Sequence, residues 1–459
     1  MFRIDTLFPS GFIGRMGLRV VSFVLALLVH CPPAHPADQF PGKTVSSGLS
    51  VQFTDNFLKR SDWRDRLAIL TALGSTIVRI DLNWPWIEKQ PGRYDWTLYD
   101  DFAAELKKRG LRPLFILNRP NPLHGQPYEG VVDGKRRNGI KPPSTKPEVA
   151  AFVRWATAAA YRYRQLNPIW ELWNEPDQDG FWPPKPDPAA YVVLAREACV
   201  SIKQHVPNAI VTGPAMAQMP TVWRPTKPLL QALLDDRVLL NCLDAVSLHT
   251  HRFKQAPETV SRDYAVLRAN YLDLWPTGIE RKPIIDTEWG DSVYRSGISE
   301  DTQALWLPRM FLINLMEQVR LTNWYCLTDV GPDDDEIEHR FGLVRHDGTP
   351  RPAYQAFKTL AHELGGLSLR ETIVRFDAAT AEGATVLRFC DEATSQCKLV
   401  FWSTEGSAGS GRVAVPGWRI IGPAINHLGQ KSVPQPDSSG VLMIEPKASV
   451  QYLPVASSR

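Results

Sequence analysis

The sequence predicts an α/β fold: a closed (β/α)8 TIM barrel followed by a small C-terminal antiparallel β-sandwich. Three observations carry the prediction. From about residue 45 to 360, helical apolar spacing alternates strictly with short apolar runs, the pattern of a parallel sheet joined by crossover helices. Eight such runs occur, the number that closes a barrel. Beyond about residue 362 the helical spacing stops, and short β-rich runs follow one another between Gly, Ser and Pro turns.

Taken in order, "SVQF" near residue 52 is the first strand. "RDRLAILTALG" has helical spacing and ends on Gly74, a C-cap, before the strand "TIVRIDL". "YDDFAAELKKRG" ends on Gly110 and leads to "LRPLFIL"; "KPEVAAFVRWATAAAYRYRQ" leads to "IWELW". "PAAYVVLAREACVSIKQ" precedes "AIVTGPA", and "KPLLQALLDD" precedes "LDAVSLH". "RDYAVLRANYLDLW" and "TQALWLPRMFLINLMEQV" complete the series, ahead of "KPIIDTE" and "NWYCLTD". A doubly wound sheet is the alternative. It would carry a Gly-rich phosphate turn after its first strand, and "VQFTDNF" has none. The sandwich, residues 363–459, is read from "TIVRF", "TVLRF", "KLVFW", "RVAV", "VLMI" and "VQYLPV". It holds no catalytic grouping and reads as a packing domain, which leaves residues 38–362 as the catalytic barrel.

Residues 1–37 read as an address. Arg15 and Arg19 precede the apolar run "VVSFVLALLV", then Pro32, Pro33 and "AHPA", a sequence too short for a comfortable membrane span. A signal peptide cleaved near Ala37 is expected, with an N-terminal membrane anchor as the alternative, since a weaker apolar stretch reaches back to Phe12. His30 before Cys31 does not suit a lipoprotein site. The folded part is expected to be periplasmic or secreted, with membrane association through this segment only. With 52 basic and 49 acidic residues the net charge is +3, and no Lys/Arg-rich run exists, so a nucleic-acid partner is not expected.

Of six cysteines, Cys390 and Cys397 flank "DEATSQ" between two strands and suit a bridged hairpin, worth about 2.5 kcal/mol in loop entropy. Cys199, Cys242 and Cys326 lie in apolar contexts and read as inert core residues. No pair has zinc-ligand spacing, and no cofactor is implied.

Barrel chemistry sits at the C-terminal ends of the strands. The fourth strand ends in "WELWNEP", with Glu175, and the seventh in "IIDTEWG", with Glu288. These are 113 residues apart, three βα units of about 38 residues, so they stand across the barrel mouth and can address one axial site. A carboxylate pair across a cleft is what glycoside hydrolysis uses, one as acid/base and one as nucleophile or base. Singly, each is more often a surface residue or an ion-pair partner. Fifteen tryptophans add to the pattern: Trp84, Trp86, Trp173, Trp182, Trp289 and Trp324 fall at or just past strand ends, where sugar rings could stack on them, while some of them are expected to be barrel core instead.

"VRIDLNWPWIE", "WNEPDQDGFWPPKPDP", "TEWG" and "FGLVRHDGTPRPAY", in that order, resemble clan A retaining glycoside hydrolases, particularly glycoside hydrolase family 39. The resemblance spans most of the chain. It implies Glu175 as acid/base, Glu288 as nucleophile, Asn174 as the partner of the sugar 2-hydroxyl, and Arg79 as the support of the nucleophile's charge. His249 matches a site histidine. Where relatives often show His-x-Tyr this chain has His251, which leaves the residue touching the nucleophile open.

The remaining polar groups have competing readings. Metal binding by His249 and His251, on one strand face, lacks a third ligand in sequence. Asp286 shares a face with Glu288, one layer deeper in the barrel, and reads as a buried structural carboxylate. "DDDE", Asp333 to Glu336, reads as a solvated loop. The whole implies a retaining endo-glycosidase acting on an extracellular or periplasmic polysaccharide, with Trp84, Trp182, Trp289 and Trp324 as substrate contacts. The alternative is a catalytically idle carbohydrate-binding or polysaccharide-assembly protein using the same groove.

Overall fold

The computed structural model describes residues 40, 42–132, 134–219, 226–394, 396–404, 412–433 and 441–458. The expected signal or anchor segment, with Cys31, lies outside them. Among the described residues no helix is long and apolar enough to cross a membrane.

Eight parallel strands close into a barrel: β1 (Leu49–Gln52), β2 (Ile77–Asn83), β3 (Arg112–Asn118), β4 (Ile169–Leu172), β5 (Ile210–Met216), β6 (Ala245–His249), β7 (Ile284–Trp289) and β8 (Thr322–Trp324). β8 pairs back onto β1. The principal crossover helices are α1 (Trp63–Leu73), α2 (Thr97–Arg109), α3 (Lys146–Tyr163), α4 (Pro188–His205), α5 (Thr226–Asp235), α6 (Arg237–Cys242), α7 (Val260–Leu267), α8 (Glu300–Met316) and α9 (Pro352–Leu364). Gly74 and Gly110 end α1 and α2 at φ 88° and 67°, a left-handed conformation that glycine reaches without Cβ strain. Thr145 and Glu148 form a capping box that starts α3.

Side chains alternate across each regular strand, and this layers the barrel interior. Ile77, Leu114, Ile169, Ile210, Ala245, Ile285 and Leu321 share one apolar cluster that forms its floor. Two residues further along, the same faces carry Arg79 on β2 and Glu171 on β4, joined by a 2.8 Å ion pair. On the adjoining strands, Ser50 of β1 donates to Asn323 of β8 at 2.6 Å. The site is built on this polar layer. A hairpin (Pro127–Val132 with Lys135–Ile140) rises from the β3–α3 connection. Its second strand, "KRRNGI", has no apolar alternation, so no strand signal marks it in the sequence.

The C-terminal part contains a sheet of β9 (Ser368–Val374), β10 (Ala384–Cys390), β11 (Cys397–Ser403), β12 (Trp418–Ile420), β13 (Ala424–Asn426), β14 (Lys431–Ser432) and β15 (Gln451–Ser457). Its order is β9-β10-β11-β15-β13-β14, with β12 also on β15. The ribbon Val413–Val415/Leu442–Ile444 packs on one face through Val415, Leu442 and Ile444, against Leu399, Phe401 and Leu453. The other face is not a separate core. Leu387, Phe389, Val400, Trp402 and Tyr452 join the same apolar cluster as the barrel helices. At this contact Glu258 accepts from Arg309 (2.9 Å) and Trp402 (2.8 Å), all buried.

Cys390 and Cys397 are bridged, as the hairpin spacing suggests. Cys199 and Cys242 are not inert core thiols: they form a second disulfide between α4 and α6, with Cα atoms 6.2 Å apart. Successive helices are neighbours around the barrel, so a sequence separation of 43 becomes a contact. Cys326 is free and buried.

Candidate active site

A cavity of about 310 Å³ opens at the C-terminal ends of the strands, and both Glu175 and Glu288 line it. The ladder of β4 stops at Leu172. Beyond it Trp173 and Glu175 take φ values of 69° and 46°, uncommon for residues with a Cβ, which tend to cluster at functional sites. These left-handed steps break the strand alternation, so that the consecutive Asn174 and Glu175 both line the cavity. The Glu175 backbone is tied to its neighbour by N–H donation to Ala215 O at 3.1 Å.

On β7 a register shift does similar work. Asp286 pairs with Leu248, but Glu288 pairs with His249, leaving one extra residue in β7. Asp286 and Glu288 therefore do not share a face, contrary to strict alternation. Asp286 instead accepts from Thr250 (2.5 Å) and from Asn314 (2.8 Å) on α8, on the helix side of the sheet. Burial pushes its carboxyl up to about 7. It is a structural carboxylate.

Arg79 organises the site. Only 1% exposed, it donates through Nε to Glu171 (2.8 Å), through Nη1 to Glu288 (2.7 Å) and Gln52 (3.1 Å), and through Nη2 to Asn174 Oδ1 (2.7 Å). With its Oδ1 taken by Arg79, Asn174 has its amide N–H groups left for a ligand. Burial works to raise the Glu288 carboxyl, but the His249 and His251 imidazoles together with the Arg79 charge outweigh it and hold the group well below the usual carboxylate range. Glu175 is shifted the other way. Burial, and then the charge of Glu288, push its carboxyl well above the usual range.

The two histidines divide between the two acids. His249 Nδ1 lies 2.7 Å from Glu175 Oε1, and its Nε2 lies 3.4 Å from Arg79 Nη2. Burial keeps this imidazole neutral. Since Arg79 can only donate, Nε2 accepts and Nδ1–H donates to Glu175. Gln178 Nε2 donates to the other oxygen of Glu175 at 3.0 Å. His251 faces Gly290 O with Nδ1 (3.0 Å) and Glu288 Oε1 with Nε2 (3.3 Å). Two acceptors on one imidazole call for a proton on each nitrogen. Burial alone would lower its pKa, but the Glu288 hydrogen bond and charge raise it.

Glu288 also supplies the third group that a metal reading of the histidines lacked in sequence: the candidate ligand atoms of His249, His251 and Glu288 lie within 4.8 Å of one another. The Arg79 guanidinium already provides a fixed positive charge against this group, so a divalent ion would meet repulsion there. The "DDDE" acids are exposed, and Asp334 and Asp335 pair at 2.9 Å with Arg340 and Arg295.

Sequence position misjudged the tryptophans. Trp84, Trp182, Trp289 and Trp324 are at most 3% exposed, belong to the main core, and do not line the cavity. Trp84 stacks on His124 and Trp155, while Trp182 packs edge-on against Trp173. A place at a strand end does not say which face a ring takes. The cavity's aromatics are instead Phe181, Phe253, Tyr325 and Phe341, all from loops beyond the strands. Asp55, Asp81, Arg119 and Glu338 also line it and were not anticipated. Burial, then the charge of Asp81, raise Asp55 to about 6.

The sequence matches no protein-family model. A β-galactosidase from Xanthomonas manihotis is 34% identical over 65 residues, which is 14% of this chain and 11% of that protein's length. Solved structures agree over most of the chain. A family 39 glycoside hydrolase from Bacteroides cellulosilyticus WH2 superposes with a TM-score of 0.71 at 20% identity, covering 91% of this chain and 82% of that one. A GH39 enzyme from Xanthomonas axonopodis pv. citri (TM-score 0.61, 17% identity, 91% and 96% covered) is also similar. So is a monomeric β-xylosidase from Caulobacter crescentus CB15 (0.60, 17%, 90% and 96%). The barrel with its C-terminal β-sheet is the fold these proteins share with this chain.

Proposed function

We propose that the chain is a retaining glycoside hydrolase, with Glu288 as nucleophile and Glu175 as acid/base. The observation that carries this reading is a pair of buried glutamates in one cavity, one held ionised and the other held protonated. Glu288 attacks the anomeric carbon while Glu175 gives its proton to the departing glycosidic oxygen. The glycosyl-enzyme ester that results is then hydrolysed. Glu175, now a carboxylate, takes a proton from water, the water oxygen bonds to the anomeric carbon, and Glu288 leaves. Asn174 donates to the sugar 2-hydroxyl, and Arg79 with His251 stabilises the Glu288 carboxylate as it departs.

The substrate proposed is an extracellular or periplasmic polysaccharide, a bacterial exopolysaccharide cut internally. This finer reading is supported by the ordered motifs, which resemble those of the periplasmic exopolysaccharide glycosidase PslG, and by the address-like residues 1–37. The test is proton NMR of the first-formed product on a panel of exopolysaccharides. A product that keeps the substrate's anomeric configuration is expected, and an inverted product overturns the mechanism. Binding without turnover on every glycan would leave the groove as a carbohydrate-binding site.

A further inference from the structure

We propose that Gln218 anchors the sugar on the leaving side of the scissile bond, so that the site takes glycans with a second sugar there in preference to simple aglycones. The inference rests on the glycosidase reading above. Gln218 is 6% exposed yet borders the cavity, and its Oε1 is buried with no hydrogen-bond partner among the described residues. A buried amide carbonyl left unpaired is costly, and a ligand hydroxyl is the donor such a group lacks.

Its side of the cavity is fixed by the chain around it. Beyond β5, Ala215 O accepts from Glu175 N (3.1 Å), and Ala217 N donates to Asp177 Oδ1 (3.1 Å). Asp177, 1% exposed, also accepts from Thr226. The segment carrying Gln218 is thus strapped to the segment carrying Glu175, whereas Glu288 takes its partners from β2 and from His251 just beyond β6. Glu175 delivers its proton to the oxygen that leaves with the departing group, so what stands beside Glu175 faces that group. The other amide nearby, Gln178, is already committed to Glu175. Gln218 Oε1 is left to accept from a sugar hydroxyl, and Phe181 lines the same cavity with an apolar ring.

The experiment compares Gln218→Met, which keeps side-chain length without the acceptor, with the wild type. The probes are 4-nitrophenyl glycosides and the disaccharides of the same sugars. The loss in kcat/KM is expected to be about tenfold larger on the disaccharide, the worth of one neutral hydrogen bond. Gln218→Leu, read the same way, guards against a packing effect of the thioether. Equal losses on both substrates, or none on the disaccharide, overturn the proposal while wild-type turnover keeps the glycosidase reading standing. If only the exopolysaccharides are turned over, the variants are compared with the wild type on them, and an unchanged kcat/KM overturns the proposal; absence of wild-type turnover on them as well overturns the glycosidase reading, and this one with it.

Discussion

Glu175 and Glu288 share one cavity and are both largely withdrawn from solvent, yet they are driven in opposite directions. Glu288 lies against a guanidinium and an imidazole with two acceptors. Glu175 lies against a neutral imidazole and a primary amide, facing the charge of Glu288. Burial alone would raise both. The difference shows that partner charge, not depth, sets the two protonation states: positive neighbours hold one carboxyl ionised, and neutral donors beside the charge of Glu288 leave the other protonated.

The sharpest way to break the comparison is Glu288→Gln. Turnover is expected to fall on the order of 10⁴-fold or more, with thermal unfolding showing a retained fold. Activity within tenfold of wild type would remove Glu288 from the nucleophile's role. Glu175→Gln should cost about 10²–10⁴-fold on glycans with a poor leaving group and much less on 4-nitrophenyl glycosides, whose leaving group needs no proton. Steady-state rates on the two classes decide it, and equal losses would contradict an acid at this position.

Arg79→Met tests the pairing itself. It leaves Glu171, which is 0% exposed, without its cation, and should cost about 3–5 kcal/mol of stability in urea titration. A smaller effect than 1 kcal/mol would mean that Arg79 does not hold the polar layer together. His251→Phe removes a positive partner from Glu288. The ionised form loses support, the pKa of Glu288 rises, and the acid limb of the kcat/KM profile moves up by about one pH unit. An unmoved acid limb would show that Arg79 alone keeps Glu288 ionised.

The smallest effect concerns stability. Burial raises Asp291 to about 7, against the charges of His251 and Arg252 and a backbone hydrogen bond from Lys254 that work to lower it. The native state then binds this proton more tightly than the unfolded chain, so stability falls as pH rises from the unfolded value, 3.8, towards 7. Asp291→Asn should flatten that decline between pH 4 and 7, a change read from urea titrations at each pH.

The sequence alone determined the barrel, because α/β alternation is written in local periodicity and glycine caps, as at Gly74 and Gly110. It also determined which chemistry to look for, since Glu175, Glu288 and His249 stand at or just past the ends of predicted strands and Arg79 lies within one. Everything that depends on leaving the regular ladder was decided by the tertiary structure. Left-handed turns at Trp173 and Glu175 and the shifted register of β7 set which side chains reach the cavity. They also explain why Asp286 faces α8. Trp289 and Trp324 took the core face, and the cavity's rings came from loops with no period to read. The Cys199–Cys242 bridge and the Arg79–Glu171 pair join residues 43 and 92 positions apart. Periodicity reports only the few neighbours along one chain segment. Charge, burial and pairing depend on distances across the barrel, and those exist only once it has closed.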